Sequence, residues 1–161
     1  DGGSQRSGGI RFRIGEFAVR HDVGVGDLDE FRHCQPVSRF QPFSRISAVC
    51  SPSFGEGRCE IAVPMRDDLK QHMGIAHGGV LATLADMALT FVGGAVLGPV
   101  ITSELKINYL RPGHGERLVA RAEVVGHGRR QAVTRCEIYS VVDGEEKLCA
   151  AAQGTIVKVE S

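Results

Sequence analysis

The stretch His77-Gly78-Gly79-Val80-Leu81-Ala82-Thr83-Leu84-Ala85-Asp86 gathers the residue types that chemistry needs. Its glycine pair lets backbone approach a ligand closely, and a carboxylate follows nine residues after the histidine. From His77 to Ser103 there is no Lys, Arg or Glu, and Asp86 is the only acid. An ordinary surface helix carries a charged outer face, so this segment is expected to be wrapped by protein on nearly every side. A lone carboxylate in such surroundings costs roughly several kcal/mol unless it is partnered or used. Asp86 is read as used.

Helical geometry sharpens the reading. At ~100° and ~1.5 Å per residue, Asp86 lies about half a turn from His77 and ~13 to 14 Å further along the axis. Free N–H groups at the helix start and this carboxylate therefore cannot meet on one small group within a single helix. A reaction needing both takes each from a different copy. Gly79, Thr83, Asp86, Thr90 and Gly93 form a stripe of small residues at spacings of four, three, four and three, where a second helix or a thin substrate fits. The plainer alternative makes Gly78-Gly79 a tight turn and Asp86 a solvated side chain.

The elements that must position these residues follow from length and pattern. The 161 residues suit one domain with a real core. Lys plus Arg and Asp plus Glu balance at 19 each, which gives no electrostatic argument for nucleic acid or an anionic membrane. Small molecules or further copies of the chain are the expected partners. Cys34, Cys50, Cys59, Cys136 and Cys149 form no C-x-x-C pair, so reduced, cytoplasmic thiols are expected rather than a disulfide framework or a zinc ribbon. Residues 77 to 101 are long and apolar, but Asp86, five glycines and Pro99 argue against a membrane span.

Along the chain, residues 1–9 have linker composition, within an extension over 1–42 to which no function is assigned. In that extension Ile10 to Ile14 alternates like a short strand and Asp27 to His33 has helical character. Ile46 to Cys50 reads as a strand, and with Arg58 to Val63 it makes a hairpin around the Gly55-Glu56-Gly57 turn. The helix is expected to stop near Gly93-Gly94, with Gly98-Pro99 a firm break. Beyond it the period becomes two: Ile101, Ser103, Leu105, Ile107 and Tyr109 share one face, opposite Thr102, Glu104, Lys106 and Asn108. Further strands are expected over Leu118 to Val125, Gln131 to Val141 and Lys147 to Val159, joined by short turns at Gly126-His127-Gly128 and Val142-Asp143-Gly144. The expected fold is α+β, one long helix covered by an antiparallel sheet of five or six strands.

His77-Gly78-Gly79, Leu84-Ala85-Asp86, and the strand Thr102-Ser103-Glu104-Leu105-Lys106-Ile107-Asn108-Tyr109-Leu110-Arg111-Pro112 together resemble a hotdog-fold acyl-CoA thioesterase of the PaaI-like branch. The resemblance covers about residues 43 to 158, within a thioesterase domain drawn over 43–161. It implies two protomers that join their sheets across a two-fold axis, with two active sites at the interface, as a homodimer or a dimer of dimers. It implies that Gly79 offers an oxyanion contact and that Asp86 of the other protomer is general base or nucleophile. By the same resemblance Gln71, where the family usually has Asn, holds the carbonyl or the water, and Thr102 positions the water. Gly78 and Thr83 flank the bound acyl-CoA, and Arg111, Arg129 and Arg130 meet CoA phosphates. His77 is expected to fix the loop that presents the glycines, with a base role as its alternative.

No metal or redox cofactor is implied, CoA entering only as part of the substrate. His72 and His77 lack a third ligand at zinc spacing. Two rivals keep the fold. A hydratase or dehydratase needs a histidine placed against the carboxylate, and no histidine here is convincingly so placed. An acyl-CoA sensor normally carries a DNA-binding segment, and residues 1–42 show neither helix-turn-helix patterning nor a basic cluster.

Overall fold

The structure, a computed structural model, describes residues 54–55 and 57–159. The extension, its linker-like start and the strand expected at Ile46 to Cys50 lie outside the described residues. Within them the apolar segment forms one helix, α1 (Gly78–Leu97), and six strands form around it. These are β1 (Phe54–Gly55), β2 (Arg58–Pro64), β3 (Val100–Tyr109), β4 (Arg117–His127), β5 (Gln131–Val142) and β6 (Glu145–Lys158). They make a single antiparallel sheet in the order β1-β2-β4-β5-β6-β3. With α1 packed on β2 through β6, this is the expected hotdog arrangement.

Alternation explains the layers. Cys59, Ile61 and Val63 of β2, Leu118, Ala120 and Ala122 of β4, and Cys136 and Ile138 of β5 all turn to the helix. Leu81, Leu84, Ala85, Ala88, Leu89 and Val92 of α1 meet them in one core. The β5–β6 hairpin closes on Asp143 and Gly144, whose φ values of 51° and 79° are those of a type I′ turn. At the other hairpin β4 continues through Gly126 and His127, so the turn falls at 128–130 and keeps only Gly128 of the three residues expected there.

Three expectations are corrected. First, α1 does not stop at Gly93-Gly94 but runs to Leu97, where Gly98 donates its N–H to Gly94 O and ends it at φ 85°. Gly93 serves close packing: a Cβ there would lie 2.7 Å from Ile156 Cγ2 and 2.8 Å from its Cβ. Second, a single chain does not enclose α1. Its 20 residues are long and apolar enough to cross a membrane by composition, yet only the sheet-facing side is buried, while Thr83, Asp86, Thr90 and Phe91 are half-buried and Gly79 and Ala95 exposed.

Third, β3 does not keep one phase. Thr102 pairs with Ile156 and Glu104 with Thr155, leaving Ser103 as an extra residue. Such a bulge flips every side chain before it to the opposite face. Val100 and Thr102 therefore share the helix side with Leu105 and Ile107, and Ile101 points away, 58% exposed.

Replacing Gly93 with alanine weighs two effects against each other. Alanine favours a helix by about 1 kcal/mol, whereas pressing a methyl into fully buried Ile156 costs about 1–3 kcal/mol. Gly93→Ala is expected to lower stability in urea titration, and a higher midpoint would show that the contact relaxes freely.

Candidate active site

The start of α1 is held from three directions. His77, extended at φ −66° and ψ 138°, is its N-cap, and its Nδ1 accepts the N–H of Gly79 at 3.0 Å. An accepting Nδ1 carries no proton, so the ring proton sits on Nε2. The His77 N–H donates to Leu69 O at 2.9 Å, and Lys70 bridges to Ala76, closing the loop that leads into the helix. From β3, the Tyr109 hydroxyl donates to Gly78 O at 3.0 Å. No acid occupies the first turn, so the positive end of the helix dipole is left for an anion or a developing negative charge.

This helix start opens on a groove of about 400 Å³. Val63, Leu69, Val80, Leu84 and Met87 make it mainly apolar, with His77, Gly79, Thr83 and the charged residues Asp68 and Lys70 also lining it. Thr83 returns its hydroxyl to Gly79 O at 2.9 Å. Asp86 does not line this groove. It is hydrogen-bonded to β3 instead, ~10 Å further along the helix than Gly79.

There Thr102 Oγ1 donates to Asp86 Oδ1 at 2.7 Å and lies 2.8 Å from Thr90 Oγ1. An ionised carboxylate only accepts, so Thr102 spends its hydrogen on Asp86 and Thr90 donates to Thr102. This relay fixes the carboxylate in place, while Oδ2 has no partner among the described residues. Thr102, read from sequence as a water-positioning residue, acts here on the carboxylate itself. Thr90 was visible only as a member of the small-residue stripe, and its signal is the four-residue offset that stacks it one turn beyond Asp86.

The remaining candidates are placed less favourably. Gln71 makes its turn through backbone, its N–H donating to Ile75 O and its carbonyl accepting from Gly74, and its side chain does not line the groove. Arg111 donates to Leu148 O at 3.1 Å, whereas the carbonyl of Arg130 accepts from Lys158. Those two contacts lie ten residues apart on β6, ~33 Å in an extended strand, so one chain does not bring Arg111, Arg129 and Arg130 to a common phosphate cluster. His72 is exposed, and among the described residues no group of three or more His, Cys, Asp or Glu side chains gathers as a metal site would require.

The described cysteines are not nucleophiles. Burial, and then the charge of Glu60, pushes the Cys59 thiol up to about 12, and its Sγ donates to Ala88 O. Burial raises Cys136 and Cys149 as well. A second cleft, of about 320 Å³ on the outer face of the sheet, holds charges that are already paired. There Arg121 meets Glu60 and Glu146, each at 2.6 Å, and Arg135 meets Glu123.

Residues 73–147 match the family model of the thioesterase superfamily. The chain is 32% identical to a thioesterase family protein from Silicibacter pomeroyi, with a TM-score of 0.72 over 74% of this chain and 90% of that one. It is 33% identical to a mutant of the phenylacetic acid degradation protein PaaI from Thermus thermophilus, with a TM-score of 0.65 over 74% of this chain and 100% of that one. A curated relative from Escherichia coli, the medium/long-chain acyl-CoA thioesterase YigI, is 34% identical over 94 residues, 48% of this chain and 58% of that protein. Against four curated relatives the chain spans 58% to 75% of their lengths.

Removing the cap should separate structure from chemistry. His77→Ala is expected to cost about 1 kcal/mol of stability while keeping most thioester turnover, and a thousandfold loss of kcat would make the imidazole a base. The raised thiols predict that a Cys34→Ser, Cys50→Ser variant resists iodoacetamide at neutral pH until unfolded, which mass spectrometry reads directly.

Proposed function

The chain belongs to the thioesterase superfamily, in its PaaI-like hotdog branch, and is a thioester hydrolase; on that premise we propose that it cleaves acyl-CoA to a free acid and CoA at a site shared by two copies. One observation carries the reading: the oriented carboxylate of Asp86 stands seven residues, ~10 Å of helix axis, beyond the helix-start amide of Gly79, too far for both to act on one carbonyl. The groove beside the amide takes the acyl chain, and its aliphatic lining favours medium-length or longer aliphatic acyl groups, in line with the name of the Escherichia coli relative.

In this reading the position of His77 Nδ1, 3.0 Å from the Gly79 nitrogen, marks where the thioester oxygen binds. The exposed imidazole swings aside and the carbonyl oxygen accepts the Gly79 N–H in its place. Asp86 from the second copy takes a proton from water, whose oxygen attacks the carbonyl carbon. The tetrahedral oxyanion rests on the Gly79 N–H and the dipole of α1. Collapse breaks the C–S bond, and Asp86 returns the proton to the departing CoA sulfur. If Asp86 attacks directly instead, the C–S bond breaks to release CoA as its thiolate, a mixed anhydride forms, and water hydrolyses it to the free acid and the Asp86 carboxylate.

The second copy is proposed to dock along β3. That strand is the sheet edge with ten residues of ladder, and Ile101 and Tyr109 on it and Leu110 just beyond are at least half exposed. Continuing the sheet there satisfies its outer hydrogen-bonding groups.

Thiol release from a panel of acyl-CoAs tests the reading. Asp86→Ala and Asp86→Asn are each expected to lose at least about a hundredfold in kcat; a panel on which wild type is silent would sink it. Gly79→Pro removes the amide hydrogen, and mixed with Asp86→Ala it is expected to regain about a quarter of the wild-type rate, because half of the pairs are mixed and each holds one intact site. Single turnover in heavy-oxygen water labels Asp86 only on the anhydride route.

A further inference from the structure

We propose that Tyr109 is a positioning residue for the oxyanion contact, acting through the peptide unit that joins Gly78 to Gly79. The inference rests on the reading of the Gly79 N–H as the donor to the thioester oxygen. Three observations support it.

The Gly78 carbonyl and the Gly79 N–H are opposite ends of one planar amide. Tyr109 Oη donates to that carbonyl at 3.0 Å, and the N–H points to an acceptor 3.0 Å away at His77 Nδ1. Hydrogen bonds in series polarise one another, so a donor on the carbonyl makes the N–H at the far end a stronger donor.

The bond is not required to satisfy the carbonyl. Helix geometry already offers Gly78 O the N–H one turn on, so the carbonyl is satisfied without Tyr109. The contact instead orients the amide.

The same strand holds the other half of the machinery. Thr102 and Tyr109 are seven residues apart on β3, ~23 Å of strand, and they grip α1 at Asp86 and at Gly78. Both grips depend on helix-facing positions of β3, and Leu105 and Ile107 pack against the core between them. Tyr109 therefore fixes the amide relative to the strand that also fixes the carboxylate.

The test compares wild type with Tyr109→Phe, which keeps the ring and deletes the hydroxyl, using the full chain and an acyl-CoA that wild type cleaves. Expected are a kcat lower by about three- to tenfold, a KM raised by no more than the same factor, and an unchanged melting temperature. A mere structural brace would not discriminate between two unreactive analogues of that substrate. The ketone analogue keeps the carbonyl oxygen and the thioether analogue lacks it. Tyr109→Phe is expected to weaken the ketone by about the same factor as kcat and to leave the thioether untouched. Equal weakening of both analogues, or wild-type values throughout, overturns the proposal. If wild type itself binds the two analogues equally, the Gly79 contact is what fails, and that outcome overturns the proposal through its premise.

Discussion

The Thr102 hydroxyl reaches Asp86 because β3 carries one residue too many. With uninterrupted alternation, Thr102 would face away from the helix whenever Leu105 and Ile107 face it, and the carboxylate would have no partner on the strand. The extra residue at Ser103 shifts the phase, so a polar side chain enters the helix side at the level where α1 turns Asp86 and Thr90 outward from the core. A carboxylate in such a half-buried place is tolerable only with a donor of its own. Here the donor is a hydroxyl whose direction a second hydroxyl sets.

At its other end the helix is organised by what it lacks. Its first turn holds two glycines and no acid, and the exposed imidazole of His77 is the side chain that answers the Gly79 N–H. A capping aspartate in that position would answer it more permanently and would repel a developing oxyanion. An imidazole on the surface satisfies the same N–H without adding a carboxylate. The mainly apolar groove beside it is built from β2, the loop before the helix and the first turns of α1, so the groove and the Gly79 amide share one rigid support.

Between these ends lies a length that one helix cannot shorten. Amide and carboxylate stand ~10 Å apart along α1, one beside the groove and one bonded to the edge strand. The glycine that lets α1 lie close to β6 belongs to the same economy, since Gly93 brings the helix down onto Ile156 and so holds Asp86 and Thr90 within hydroxyl reach of β3. A hydrophobic core alone would have stacked these layers. The close approach at one glycine and the slip at one serine decide which polar atoms meet.

The pattern of residues determined much by itself. The charge-free run around Asp86 marked the helix and its one acid, period-two alternation marked the later strands, and the rise along the helix separated its first amides from the carboxylate without any coordinates. These are local or periodic properties, and the chain writes them directly. Only the tertiary structure decided where the helix ends, because Gly93-Gly94 reads as a stop until Ile156 is seen to press against it. It alone set the face of Thr102, since a bulge is a mismatch between two strands and neither strand carries it in isolation. It alone spent the Tyr109 hydroxyl on Gly78, thirty-one residues away in sequence, and set Arg111 far from Arg129 and Arg130. Each of those outcomes depends on the register between segments distant in the chain, and register is a property of pairs.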